Sequence, residues 1–217
     1  MRIRRLLSWA LIVGGFLLLA DGALTLLWKE PVSAVYASIQ QNRLAGELEE
    51  LEQVEPTPAE KVVLARLPDP GLQLAFKARA MQRRLENGQP IGRLEAPSIG
   101  LDVIVVQGTD TGDLRKGPGH YPATSLPGEG GTVAVAGHRT TYGAPFRHVD
   151  SLEKGDRIMM RMPYGRLTYR VERTRIVDPS AVGVVRDVGH EQLVLTACHP
   201  LYSAEQRIVV FARLEGG

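Results

Sequence analysis

The chain opens on a long apolar stretch. From Leu6 to Trp28, LLSWALIVGGFLLLADGALTLLW, only Ser8, Asp21 and Thr25 are clearly polar. As a helix this stretch would be about 34 Å long at about 1.5 Å per residue, enough to cross a hydrocarbon core of about 30 Å. Residues 33–53 then carry Val35, Ile39, Leu44, Leu48 and Leu51, whose spacings of three to five predict a loosely amphipathic helix. Pro56 and Pro58 interrupt it. A second helical pattern runs from Leu72 to Glu86, with Leu74, Ala78, Met81 and Leu85 on one face and Asn87-Gly88 as its stop. Beyond it the period shortens. Residues 91–96, 101–106, 131–136, 156–162, 167–177, 192–197 and 207–214 read as strands, separated by turns that carry Gly, Pro and Asp. Residues 117–131, GPGHYPATSLPGEGG, read as one long loop.

No long helix alternates with these strands, so a parallel βαβ architecture is disfavoured. The expected fold is mostly β: a closed antiparallel or mixed β-barrel with short helices over residues 89–217. A cytoplasmic tip and transmembrane helix (1–28) and a helical stalk (29–88) precede it. Arg2, Arg4 and Arg5 stand before the apolar stretch, while Lys29 and Glu30 cancel after it. That asymmetry puts the N-terminus in the cytoplasm and the barrel outside the plasma membrane. A cleaved signal peptide, with Ala20 and Gly22 as small residues at the cut, is the alternative. Apolar character resumes at Ala23, Leu24, Leu26, Leu27 and Trp28, which favours an uncleaved anchor.

Charge changes this picture little. With 26 basic and 24 acidic residues the net charge is +2, which excludes a nucleic-acid protein driven by bulk positive charge. Locally the charge is uneven. Residues 43–60 are rich in Glu, and the second helical segment carries Lys77, Arg79, Arg83 and Arg84. The two segments can pair with each other or stand apart as solvated spacers.

The candidate chemistry sits at strand ends. Cys198 is the single cysteine, which excludes an internal disulfide and a Cys-rich zinc site. It follows the apolar run Leu193–Ala197, and His199-Pro200 stop that run. His138 ends another apolar run, and Arg207 opens the last strand. A thiolate is a nucleophile, an imidazole moves protons, and a guanidinium can hold an oxyanion. No clustering of His with carboxylates points to a metal. Cys198 is open to two readings here, an inert thiol or a working one.

The motif strings narrow that choice. Ile91-Gly-Arg-Leu-Glu-Ala-Pro, Gly117-Pro-Gly-His-Tyr-Pro, Leu126-Pro-Gly-Glu, Ala136-Gly-His-Arg, Leu193-Val-Leu-Thr-Ala-Cys-His-Pro and Gln206-Arg207 occur in family-like order. Together they resemble the sortases, membrane-anchored cysteine transpeptidases of bacterial surfaces, over about residues 90–214. The stretch after His138, Thr-Thr-Tyr-Gly-Ala-Pro-Phe, and Cys-His-Pro look most similar to class E, with class D next. The resemblance implies a sortase-like barrel in which Cys198 is the nucleophile, His138 the acid–base group and Arg207 the oxyanion partner. It implies no cofactor. Its substrates would be secreted proteins with an LPXTG or LAXTG sorting signal, and its acceptor an amine of a cell-wall precursor or a pilin lysine. A non-enzymatic, membrane-tethered module that binds peptides or envelope polymers is the competing reading. Further substrate-side candidates are Tyr121, Tyr142, Thr196, Ala197 and His199. Many sortases carry Thr immediately before the cysteine; here Ala197 holds that position and Thr196 sits one earlier, on the opposite strand face. That displacement puts Thr196 in doubt as a replacement hydroxyl at the acyl site.

Overall fold

A computed structural model describes residues 2–27 and 31–215. Trp28, expected to close the apolar span, and the charges at Lys29 and Glu30 lie outside the described residues. The apolar segment forms α1 (Arg2–Leu27). Its stretch Ile3–Ala23 is long and apolar enough to cross a membrane, and none of it is buried against protein. Three more helices follow: α2 (Pro31–Glu52), α3 (Pro58–Arg66) and α4 (Pro70–Gln82). Thr57 caps α3 and Glu60 bonds back to the Thr57 N–H, so the proline break restarts a helix through a capping box.

Eight strands then close a barrel. They are β1 (Pro90–Ala96), β2 (Leu101–Gln107), β3 (Gly119–His120), β4 (Thr132–Ala136), β5 (Arg157–Met162), β6 (Gly165–Val177), β7 (Gln192–His199) and β8 (Gln206–Leu214). Their order around the barrel is β1-β2-β3-β4-β7-β8-β6-β5. The β2–β3 and β4–β7 pairs are parallel and the rest antiparallel, so the barrel is mixed. Seven of the strands fall where the strand-like runs, alternating or continuously apolar, predict them. β3 lies inside the expected loop, because two residues carry no readable period.

Alternation sets what each strand faces. Leu193, Leu195 and Ala197 of β7 point into the core with Val133, Val135, Ile208 and Val210. Val194 points outward, into a second apolar cluster with Ala134, Val209 and Phe211, over which Val184 and Val185 of the β6–β7 connection pack. Strands buried on both faces read as unbroken apolar runs, which is why β4 and β7 do.

The helices are packed onto this barrel. Leu74, Ala78 and Met81 of α4 lie against the core, as the helical pattern predicts, and Leu85 does so from beyond the helix, which ends at Gln82 and not at Glu86. Leu74 crowds Gly128, and Glu191, the residue before β7, accepts hydrogen bonds from the Gly128 and Gly130 N–H groups. α4 therefore seals the end of the barrel where β7 begins, and Cys198 stands near the end of β7. The acidic and basic segments do meet once, at Arg84–Glu60 (2.6 Å). On α2 the buried face differs from the expected one. Val35 and Ile39 are exposed, while Ser33, Ala37, Leu44 and Leu48 are buried. The stripe facing the barrel runs through positions 33, 37, 41, 44 and 48, and a Ser, an Ala and a Gln occupy it. Counting apolar residues therefore missed it.

Candidate functional site

β4 and β7 are parallel neighbours, with Ala136 opposite Thr196. Two residues further on, each chain presents a reactive group: His138 beyond β4 and Cys198 on β7. On the other side of β7, the antiparallel register places Arg207 of β8 directly opposite Cys198. Three neighbouring strands thus bring His138, Cys198 and Arg207 to one rim of the barrel, although up to 69 positions separate them in sequence. Cys198 is half-buried and free. It shares the outward face of β7 with Val194 and Thr196, since side chains alternate along a strand. The Arg207 guanidinium donates through Nη1 to the carbonyls of Ala204 and Gln206, both at 2.9 Å, which holds it at the turn that joins β7 to β8.

Local packing explains the residues around His138. A Cβ at Gly137 would come within 2.5 Å of the buried Phe146 ring, so a glycine is required there. The carbonyl of His138 accepts the Phe146 N–H at 2.9 Å. His138 Nε2 is buried with no hydrogen-bond partner among the described residues. Burial, reinforced by the Arg115 guanidinium, lowers the pKa of His138 below the usual imidazole value. The neutral ring is therefore the predominant form at neutral pH.

The structure adds a residue that no sequence pattern singled out. Arg139 is buried and pairs with Asp150 at 2.5 Å. Its guanidinium also donates to the Arg147 carbonyl (3.1 Å) and, at longer range, to the Cys198 carbonyl (3.5 Å), and stands 3.4 Å from His199 Nδ1. One buried fork joins the segment after His138 to the end of β7. The Ala-Gly-His-Arg string contained Arg139, but spacing gives no sign that an arginine is buried.

A family model described as Sortase domain matches residues 94–215. The chain belongs to the sortase family. It is 38% identical to Sortase D of Bacillus subtilis over 133 residues, a match that covers 59% of this chain and 65% of that relative. The chain thus spans just under two thirds of that relative's length. Among solved structures, sortase E of Streptomyces avermitilis superposes with a TM-score of 0.55 at 33% identity, covering 60% of this chain and 91% of that one. A Clostridium perfringens Sortase D5 transpeptidase superposes with a TM-score of 0.66 at 21% identity, over 82% of this chain and 99% of that one, which shows the shared fold. Classes D and E, the two that the motif strings singled out, are both among these relatives.

In the sortase domain the remaining candidates take different places. Thr196 is on the Cys198 face and its hydroxyl hydrogen-bonds the Tyr121 hydroxyl at 3.0 Å. Its displacement from the familiar Thr position therefore moves it onto the cysteine's side of the strand. The Ala197 side chain faces the barrel core, away from the Cys198 face of β7. His199 lies beside Arg139, and Tyr142 lies against His138 with ring centroids 5.4 Å apart. His148 is exposed.

His120, within the stretch that reads from sequence as one long loop, is fully buried. Its ring nitrogens meet Gln107 Oε1 (2.8 Å), the Ser125 carbonyl (3.0 Å) and the Thr124 hydroxyl (3.1 Å). Burial lowers its pKa to about 4, against a smaller opposing effect of the Ser125 carbonyl. The unfolded chain takes up a proton at this histidine near the ordinary value of 6.5, and the folded chain does so only near 4. Stability is therefore full above about pH 6.5 and lost as the pH falls towards about 4. At about 1.4 kcal/mol per pKa unit, the loss reaches about 3 kcal/mol. Urea melts of wild type and His120→Gln at about pH 7 and about pH 4.5 check this. The wild type should lose roughly 2–3 kcal/mol more over that interval, and equal losses would refute the account.

Proposed function

We propose that the protein is a sortase transpeptidase that cleaves a C-terminal sorting signal of the LPXTG or LAXTG kind between Thr and Gly and transfers the acyl group to an amine of the cell envelope. The observation that carries this reading is the convergence of Cys198, His138 and Arg207 on one barrel rim in a chain of the sortase family. The Cys198 thiolate attacks the Thr carbonyl carbon. Arg207 stabilises the tetrahedral oxyanion, a type of contact often worth 100-fold or more in rate. The C–N bond breaks, His138 protonates the departing glycine amine, and a thioester remains. An incoming amine attacks the thioester, His138 takes its proton, and the new amide forms as the thiolate leaves. Burial and the Arg115 guanidinium favour the neutral imidazole of His138, the form that takes the proton of the incoming amine.

We assign α1 as the membrane anchor, with the barrel outside the cytoplasm. Its length and apolar surface support this. Arg2, Arg4 and Arg5 at its N-terminal end support the orientation. Protein recovered from cells should retain its first 28 residues and stay in carbonate-washed membranes; a mature N-terminus near Ala23 would replace the anchor with a cleaved signal.

Incubating the protein with LPXTG and LAXTG peptides, with and without candidate amines, tests the function. Mass spectrometry should find a thioester on Cys198, release of the Gly-containing fragment, and an amide to the preferred amine. A lysine-bearing pilin peptide as the preferred acceptor would make this a pilin polymerase. Tight peptide binding with no released fragment would support a binding module instead.

A further inference from the structure

The chain leaves β4 through His138 and doubles back at Tyr142, Gly143 and Ala144, which have positive φ values of 50°, 75° and 47°. For Tyr142 and Ala144 the left-handed region costs about 1–2 kcal/mol each, so neighbouring groups must hold the turn. The neighbour is α2. Ser33 Oγ accepts the Tyr142 N–H at 2.9 Å. A Cβ on Gly143 would meet Ala37 Cβ at 3.3 Å, so the two backbones run close. The Tyr36 ring stands edge-on to the Tyr142 ring, 6.2 Å between centroids at 71°. The Arg115 guanidinium lies 5.7 Å over the Tyr142 ring.

α2 is itself fastened to the barrel. Gln41 accepts the Ile104 N–H at 2.7 Å and donates to the carbonyls of Ile104 and Lys116 at 3.1 and 2.9 Å. Leu44 and Leu48 pack on Ile104 and Val106. The Tyr142 ring lies against His138, tilted by 41°. No hydrogen bond among the described residues fixes His138 Nε2, so ring packing takes over the orienting that a hydrogen bond often performs.

We infer that Tyr142 is a positioning residue for His138 and that α2, through Ser33 and Tyr36, holds Tyr142 in place, making this helix a wall of the active site. The inference rests on the transpeptidase reading above. It also fixes where the site can be. Ser33 stands six positions after Leu27, where α1 ends, so the connecting chain reaches about 20 Å at most. With α1 in a bilayer, the catalytic rim is held at the membrane-proximal end of the molecule.

The test uses the full chain in detergent, with Tyr142→Ala, Tyr142→Phe, Tyr36→Ala, Tyr36→Phe and Ser33→Ala. Tyr142→Ala should lower kcat for peptide cleavage about tenfold or more, with KM within about twofold. Tyr36→Ala and Ser33→Ala should lower kcat about threefold to tenfold. Both Phe variants should keep near-wild-type rates, because the rings and not the hydroxyls make the contact. An increase in KM with kcat intact would make Tyr142 a substrate contact and overturn the inference. So would alanine variants that match wild type, or Phe variants as impaired as Ala. A readout independent of turnover is the His138 ring Cε1–H resonance, assigned with His138→Gln. It should shift in Tyr142→Ala and stay in place in Tyr142→Phe. An inactive wild type would defeat the transpeptidase reading, and an unmoved resonance would defeat the positioning role.

Discussion

Cys198→Ala will abolish cleavage of sorting-signal peptides, by at least about 1,000-fold, and leave the barrel folded. A factor of 1,000 corresponds to about 4 kcal/mol of transition-state stabilisation. It is expected because no thioester can form without the sulfur, and no second thiol exists to replace it. Stability should change by under about 1 kcal/mol, since Cys198 is half-buried at the rim and outside the apolar core. Arg207→Lys should separate charge from geometry at the same rim: a lysine keeps the charge and loses the fork, and a loss of about 100-fold is expected. Mass spectrometry of peptide products, with far-UV circular dichroism on the same samples, checks both. Retained cleavage by Cys198→Ala would sink the mechanism.

Arg139→Met should destabilise the fold by about 2–4 kcal/mol, mainly through the acceptors it leaves without a donor. Arg139 is 3% exposed at its side chain while Asp150 is 43% exposed, so the cost falls mainly on the arginine side. Removing the guanidinium strands the Arg147 carbonyl and weakens the support of the Cys198 carbonyl, and unmade buried hydrogen bonds cost about 1–3 kcal/mol each. The melting temperature should fall by roughly 10 °C. Activity should fall too, measured well below the new transition, because the link between the His138 segment and the end of β7 is lost. Arg139→Lys should recover little, since an ammonium cannot reach several acceptors arranged for a fork. A melting temperature within about 2 °C of wild type would show that the buried pair contributes nothing net.

How much of this was legible beforehand follows from periodicity. β1, β2, β5, β6 and β8 are long enough to display strand character, and β4 and β7, buried on both faces, show it as unbroken apolar runs. β3 has two residues and displays nothing. α4 showed its inward face because Leu74, Ala78 and Met81 are all apolar, and Leu85 continues that face from the turn beyond the helix. α2 did not, because the barrel selects a face that includes Ser33, Ala37 and Gln41, each chosen for what it meets: a tyrosine N–H, a glycine backbone and an unpaired stretch of β2. Gln41 looks like a solvent residue until its partners at Ile104 and Lys116 are known.

The site divides in the same way. The strings around Cys198, His138 and Arg207, with the single cysteine and the long apolar N-terminal segment, are properties of the chain and could be read along it, as could the barrel and the family to which it belongs. Whether those three residues meet depends on which strands are neighbours. That is a matter of hydrogen-bond pairing between segments far apart in sequence, β4 beside β7 and β7 beside β8. The outward turn of Thr196, the burial of Ala197, His120 and Arg139, and the contact of α2 with Tyr142 are decided there as well. Burial and partnership are relations between surfaces, and a single residue's identity specifies neither until the chain has closed on itself.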